Sequence, residues 1–390
     1  MGEDRLRQQR VRAIQRLLAG EAPEAICASV NRSKSWLYKW LKRHLAGHAD
    51  WNQRLSARPL RSPQKIAADT EGVVKMIRLN LYNRDVFCGA QAIRWEMEEL
   101  GCNPLPSIRT INRILSRHGL THRRTGIYEP KGKAYPKLPA LLPNQTHQAD
   151  LVGPCYLKGS FRFYSYNVVD LATGRCGIQP AASRSAQCII NSVWATWHRM
   201  GIPLNMQVDN DMSFYGSPTH PRGMGPLIRL CLHHGVEPWF IPVSEPWRNG
   251  VVEKFNDHYQ VRFLDKVLMV SQRDLTTESL NFEHRHNSSY RYSKLGGKTP
   301  LKALESARPQ LRFPDRVEAP HHRLKKPMEG RYHLVRFIRG DRKLNVFSEL
   351  FPMPPELQYE YVVATIDVKE QKLKLYLGQN QVEQFDYVLR

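Results

Sequence analysis

"EPWRNGVVEKFN", residues 245–256, is the stretch on which the fold turns. After Asn-Gly at 249–250, the apolar residues Val252, Phe255, Tyr259 and Phe263 recur at intervals of three or four. This spacing predicts one long helix over "NGVVEKFNDHYQVRFLDKVL" with an inward stripe. Glu253, Asp257 and Gln260 fall on a neighbouring face, and Gly250 lets another backbone approach the helix start closely. A lone glutamate on such a helix is ordinarily a solvated residue. Its meaning changes if other carboxylates converge on it.

Upstream, "HQADLVG", "FRFYSYNVVDLAT" and "RCGIQPAA" are apolar-rich runs separated by Gly-containing turns, which predicts three consecutive strands in a meander. "SRSAQCIINSVWATWHRMG" follows as a helix with Ser183 or Ser185 as cap and Gly201 as stop. "PLNMQVDN" is a strand, "GPLIRLCLHHG" a helix and "VEPWFIP" a strand. The order implies an α/β domain with a mixed sheet. Asp150 lies in the first strand and Asp209 at the end of the fourth. Ligands gather at strand ends of open α/β sheets. If strands one and four are neighbours, both aspartates point into one crevice, and the helix carrying Glu253 closes its third side. Three such carboxylates repel one another unless cations compensate, and Mg²⁺ or Mn²⁺ suits an all-oxygen donor set. Two ions about 3.5–4 Å apart can clamp an in-line phosphoryl displacement. Trp247 and Arg248 stand where they would flank a substrate.

The bulk composition agrees with a polyanionic partner. The chain has 390 residues, 41% of them hydrophobic and 24% charged, with a formal net charge of +22. Such an excess attracts nucleic acid first and an anionic membrane second. No run of about 18 apolar residues supports a membrane span, and "MGEDRLRQQR" lacks the apolar core of a signal peptide. The expectation is a cytoplasmic protein associated with the nucleoid. Cys27, Cys88, Cys102, Cys155, Cys176, Cys188 and Cys231 form no C-x-x-C pair, and neither His233-His234 nor His284-x-His286 has partner cysteines. Free thiols in a reducing compartment are expected, without a structural zinc site.

Residues 1–57 read as three short helices. The first covers "DRLRQQRVRAIQRLLA", the second "APEAICASV" and the third "NRSKSWLYKWLKRHL", with Ser33 or Ser35 as N-cap. Tight turns between them suit a helix-turn-helix, whose third helix enters the major groove N-terminal end first. Lys34, Ser35, Tyr38 and Lys39 are then candidate DNA contacts, with Trp36, Leu37, Trp40 and Leu41 facing inward. A generic three-helix bundle with a polar face is the alternative. After the basic linker "RPLRSPQK", residues 64–120 repeat the pattern. Ser107 is the cap of their third helix, and Arg109, Thr110 and Arg113 lie near its reading end. Residues 121–143 form a Pro-rich basic linker in which Arg123 and Arg124 are either phosphate contacts or part of a solvated tether.

Residues 144–306 resemble the catalytic core of the DDE transposases and retroviral-type integrases, which have an RNase H-like fold. The matching pieces are "HQADLVGP", "VVDLATGR", "QVDNDMSF", "SEPWRNGVVEKFN" and "YRYSKLGGKTPLKAL", in matching order. The resemblance implies that Asp150, Asp209 and Glu253 are a catalytic triad holding Mg²⁺ or Mn²⁺, two ions per site, with Arg248 and Asn249 shaping the site at the DNA. Asp170 matches an aspartate that is auxiliary. Two departures stand out. Asp209 and Glu253 are separated by 43 residues, a long interval that points to "SFYGSPTHPRGMG" as an inserted loop beside the site. Asp211 stands where many relatives carry glycine, either as a perturbing charge or as a spare ligand. The absence of a His-His-Cys-Cys motif favours a bacterial-type transposase.

After a linker over 307–328, residues 329–390 switch to period two. "YHLVRFIR", "KLNVF", "EYVVATIDV", "KLKLYL" and "VEQFDYVL" predict five strands that suit a small closed barrel. This part resembles the Src-homology-3-like barrel of integrases. Lys343, Lys369, Lys372 and Lys374 would face phosphates, unless the barrel serves protein contacts alone. The combined expectation is a DNA transposase. Its helical units would bind terminal inverted repeats of double-stranded DNA, and its core would cleave 3′ ends and join them to target DNA. It would act as a homo-oligomer, a dimer or tetramer, with room for an accessory ATPase. A DNA-binding regulator or architectural protein without catalysis is the second reading, and a nuclease without strand transfer the third.

Overall fold

The computed structural model describes residues 2–47, 49–54, 66–121, 135–157, 161–216 and 222–390. The chain forms two compact units, Met1–Ala67 and Ala68–Arg390. Among the described residues no helix is long and apolar enough to cross a membrane.

The first unit holds α1 (Gly2–Leu18), α2 (Pro23–Val30) and α3 (Lys34–Leu45). Ser33, not Ser35, caps α3, its side chain accepting from the Trp36 N–H. Ala13, Ile14, Ile26, Cys27, Leu37 and Trp40 make the core, with Trp36 and Leu41 packed partly against it. This is the three-helix arrangement expected from the sequence.

The second unit opens with α4 (Ala68–Asn83), α5 (Ala90–Glu99) and α6 (Ile108–Arg117), and Ser107 caps α6 by accepting from the Thr110 N–H. Strands β1 (Thr146–Tyr156), β2 (Arg162–Asp170) and β3 (Cys176–Ala181) form the meander. Then come α7 (Ala186–Met200), β4 (Asn205–Val208), α8 (Met212–Tyr215), α9 (Pro226–His233), β5 (Glu237–Phe240), α10 (Gly250–Tyr259), α11 (Gln272–Ser289) and α12 (Pro300–Ala307). Strands β4 and β5 run parallel to β1, so the local order is β5-β4-β1-β2-β3. Alternation along β2 sends Tyr166 and Val168 to one face, under α7 and α9, and Phe163 and Val169 to the other, under α10 and α11. The result is a three-layer α/β/α body. Ser185, rather than Ser183, caps α7. Gly201 ends α7 at φ +90°, where a Cβ would come within 2.5 Å of the Asn144 side chain.

The helix predicted over 249–268 is shorter than expected. It is α-helical only to Tyr259 and then widens into a π-turn over Gln260–Leu264. Helix α11 is absent from the sequence reading because its inward face is partly polar. Leu275 and Phe282 are buried beside Ser279, Glu283 and Asn287. Those polar groups have work to do at the edge of the sheet. Glu283 accepts from the Ile178 N–H at 2.7 Å, and Asn287 bonds both the N–H and the C=O of Cys176 at 2.9 Å. They satisfy an otherwise open edge strand.

The second helical unit packs directly on this body. The Asp85 carboxylate accepts from Lys266 at 2.8 Å and Arg262 at 3.3 Å, and the Asp85 carbonyl accepts from the Tyr290 hydroxyl at 2.7 Å. Gly297, at φ +88°, lies so close to Trp95 that a Cβ there would be 2.5 Å from the ring.

The C-terminal strands correct the barrel expectation. They are β6 (Arg331–Phe337), β7 (Lys343–Val346), β8 (Glu349–Pro352), β9 (Tyr361–Asp367), β10 (Lys372–Leu377) and β11 (Asn380–Asp386). They do not close into a separate five-stranded barrel. Strand β6 pairs parallel to β5, and the sheet runs on as β11-β10-β9-β6-β5-β4-β1-β2-β3, nine strands with free ends at β11 and β3; β7 and β8 form their own hairpin. The physical reason lies in β5, whose outer edge would leave a row of unpaired N–H and C=O groups. Strand β6 takes that edge, and His333 stacks on Trp239 at 4.0 Å. A period of two reveals strands but not their neighbours.

Candidate active site

Strands β1 and β4 pair in parallel as Thr146↔Asn205, His147↔Met206 and Gln148↔Gln207. Asp150 and Asp209 each lie two residues beyond the last of these pairs, at the same height and on the same face as the two glutamines. Both are half-buried.

Glu253 is brought to them by side chains of the strands themselves. Helix α10 has no local side-chain cap. Instead the Gln148 side-chain amide oxygen (Oε1) accepts from the N–H groups of Val251 at 3.0 Å and Val252 at 3.2 Å. Gln207 donates to the Arg248 carbonyl at 2.9 Å and to the Asn249 side chain at 3.3 Å, while Asn249 donates to the Ala149 carbonyl at 3.0 Å. The first turn of α10 is thus tied to both strands. One turn further, Asn256 donates to Asp150 at 2.6 Å and accepts from Asn167 at 2.9 Å, which in turn accepts from Ser165 at 2.8 Å.

The electrostatics follow from this packing. Burial pushes the Asp209 carboxyl up to about 6, and Asp150 and Asp211 add to the shift. Asp150 is raised by burial, against hydrogen bonds from the Leu151 N–H and Asn256. Glu253 is raised by burial and then by Asp150 and Asp257. Asp150 therefore acts on both of the others, and all three resist ionising together. Among the described residues, no three His, Cys, Asp or Glu side chains are drawn close enough to hold a metal ion as they stand. The donor set is all carboxylate oxygen, which fits Mg²⁺ or Mn²⁺. Glu253 opens onto a shallow shelf lined by Gly250, Lys254, Asn256 and Asp257, while the more enclosed hollow between Pro154 and Met269 lies elsewhere. A shelf suits a polymer better than a small molecule.

The other expected residues divide. Lys34, Ser35, Tyr38 and Lys39 are exposed on α3, with Lys34 paired to Glu24. Arg109 and Arg113 are exposed on α6, whereas Thr110 is half-buried and bonded to the Ser107 hydroxyl at 3.0 Å. Arg123 and Arg124 lie outside the described residues, as does part of the 213–225 loop. Two residues expected at the DNA are engaged within the protein. Asn249 is 2% exposed with its amide already bonded, so it positions α10. Arg248 is held by Glu245 at 2.9 Å and Tyr361 at 2.9 Å, and lies 4.1 Å from the Tyr135 ring centre. It is part of the wall. Trp247 remains exposed at 59%.

Asp170 is buried at the end of β2, opposite His147 of β1, and accepts from the N–H groups of Asn144 and Thr173; it shapes a turn. Asp211 is a perturbing charge. Its N–H donates to Asp209 at 3.0 Å, and its carboxylate caps α8 and pairs with Arg184 at 3.1 Å. Lys372 pairs with Asp386 at 2.6 Å and Lys374 with Glu370 at 2.8 Å, while Lys343 and Lys369 stay exposed. Gln148, Gln207 and Asn256 were missed from sequence. The signal was present as a repeated Gln-x-Asp at 148–150 and 207–209.

Residues 4–51 match the homeodomain-like domain family. No curated protein matches the chain. Among solved structures, the HTLV-2 integrase catalytic core domain in complex with magnesium is similar at 17% identity and TM-score 0.31, over 42% of this chain and 99% of that one. A simian T-cell lymphotropic virus intasome in complex with PP2A regulatory subunit B56 gamma is similar at 13% identity and TM-score 0.36, over 81% and 97%. The catalytic core domain of BIV integrase is similar at 16% identity and TM-score 0.31, over 42% and 97%.

Proposed function

We propose that this protein is a DNA transposase of the DDE type, which cleaves 3′ ends of DNA and joins them to target DNA. The observation that carries the reading is the Gln-x-Asp repeat. Asp150 and Asp209 stand level on adjacent parallel strands, and the paired glutamines hold the start of the helix bearing Glu253. Supporting it are a net charge of +22, a homeodomain-like domain at residues 4–51 and an open shelf beside Glu253.

Asp150, Asp209 and Glu253 would hold Mg²⁺ or Mn²⁺. When bound, the ions polarise the scissile phosphate and neutralise its charge. The remaining work falls to the chain. Asn256 fixes the rotamer of Asp150, Asp211 holds Asp209 through its N–H, and Gln148 with Gln207 sets the height of Glu253. The helical units bring the basic protein onto duplex DNA, and assembly as a homo-oligomer would bring two ends together.

The test is a strand-transfer assay with labelled element ends, a plasmid target and Mg²⁺, comparing wild type with Glu253→Gln. Joined products from wild type alone are expected. Equal products from both proteins would remove Glu253 from the reaction, and end binding without chemistry in either Mg²⁺ or Mn²⁺ would favour a regulator.

A further inference from the structure

We infer that the C-terminal strand pair β6–β9 is a clamp on the active site, with Arg336 and Tyr361 as positioning residues for Asp209 and Glu253. The inference rests on the reading of those carboxylates given above. It assigns the C-terminal region a task other than the DNA-facing barrel expected from sequence.

Arg336 is 7% exposed, and its recorded bonds are to uncharged groups. Its guanidinium donates to the Asn210 side chain at 2.9 Å, the Ile241 carbonyl at 3.1 Å, the Val335 carbonyl at 2.9 Å and the Asn345 carbonyl at 3.1 Å. Asn210 follows Asp209 directly, and its own amide donates to Ile241 at 2.6 Å. One buried cation therefore joins the end of β4, the end of β5 and the β7 hairpin. Burial lowers its pKa to about 10, so it stays charged. Burying such a group is costly, and here it is offset by four acceptors. Arg336 reaches Asp209 through a hydrogen bond to the next residue in the chain, Asn210. Its effect passes through Asn210 and is one of placement.

Tyr361 acts from the opposite face. In the β6–β9 ladder Arg336 faces Val362 and Phe337 faces Tyr361, so Arg336 and Tyr361 point to opposite sides of the sheet. The Tyr361 hydroxyl donates to Glu245 at 2.8 Å and accepts from Arg248 at 2.9 Å. Glu245 and Arg248 form the turn that feeds α10. One strand pair thus grips the segment behind Asp209 on one face and the segment before Glu253 on the other.

The test uses the full chain without DNA, with Mn²⁺ binding followed by electron paramagnetic resonance. Asn210→Ala, Arg336→Lys and Tyr361→Phe are compared with wild type and with Asp209→Asn. Partners that orient metal ligands typically contribute about 10–100-fold in affinity. Asn210→Ala and Tyr361→Phe should each weaken Mn²⁺ at least about 10-fold by this rule, while melting near wild type and binding a 30-bp random duplex, a length chosen at roughly three turns of B-DNA, unchanged. Arg336→Lys and Asn210→Ala should be non-additive, because they break the same bond. Variants that melt lower but bind Mn²⁺ as wild type does would overturn the clamp, as would full additivity. If wild type and Asp209→Asn bind Mn²⁺ alike, the failure belongs to the triad and not to the clamp.

Discussion

Replacing Gln148 should detach the start of α10 from β1. The side chain is 5% exposed and accepts from two first-turn N–H groups, of Val251 and Val252. Each such bond is worth about 0.5–1.5 kcal/mol net, and a buried N–H left without a partner costs about 1–3 kcal/mol. Val252 is fully buried, so its N–H has no ready access to water, whereas Val251 is 40% exposed and can rehydrate. The expected loss for Gln148→Ala is about 2–3 kcal/mol, or a fall in Tm of roughly 3–5 °C for a unit of this size. Gln148→Met keeps the volume and loses the acceptor, so it should show nearly the same loss. The functional effect should exceed the effect on stability. A misplacement of about 1 Å costs about 100-fold in rate, and Glu253 is in the turn that Gln148 caps. The assay pairs thermal melting with Mg²⁺-dependent cleavage of labelled duplex, titrated in Mg²⁺. The Mg²⁺ concentration for half-maximal cleavage should rise at least about 10-fold. A Gln148→Met protein that melts within about 1 °C of wild type, against the fall derived above, would refute the capping argument. A lower Tm with an unchanged Mg²⁺ requirement would refute the link from cap to site.

Asp209→Asn should stabilise the protein in EDTA at pH 7.5. Native Asp209 titrates at about 6 against an ordinary 3.8, so the native state binds the extra proton and stability falls as pH rises from 3.8 to 6. The shift caps the gain at about 3 kcal/mol, and partial exposure reduces it to about 1–2 kcal/mol; the difference should vanish near pH 4, as melting curves at both pH values will show. Lys39→Ala should weaken duplex binding and lower the salt slope by about one, read by fluorescence anisotropy between roughly 50 and 200 mM salt; an unchanged slope would take α3 off the DNA. Gly297→Ala puts a Cβ into the Trp95 ring at a positive φ, and should destabilise by about 1–3 kcal/mol. Limited proteolysis should then release residues 68–120, and wild-type resistance would show that Trp95 can move aside.

Much of the site was legible because it is written locally. Asp150 lies within an apolar strand, Asp209 directly follows one, and Glu253 follows Asn-Gly on a helix with a clear stripe. The Ser33 and Ser107 caps announced α3 and α6. Helix α11 was hidden because Ser279, Glu283 and Asn287 face inward to serve the edge of β3, which blurs its period. Arg248 and Asn249 were expected at the DNA from the family resemblance. Both side chains are consumed by long-range partners, Tyr361 for one and Ala149 for the other.

The sequence by itself determined most of the elements and their order, α11 excepted, and it singled out three carboxylates as candidates. Periodicity, caps and turn residues act over a few positions, and a linear reading captures them. Only the tertiary structure decided which strands are neighbours. That choice levelled Asp150 with Asp209, let Gln148 cap a helix about a hundred residues away, and joined β6 to β5 in place of a closed barrel. Strand partnership is set by which edges are left unpaired and by side chains that meet only after folding. Neither quantity is carried by any local stretch of the chain.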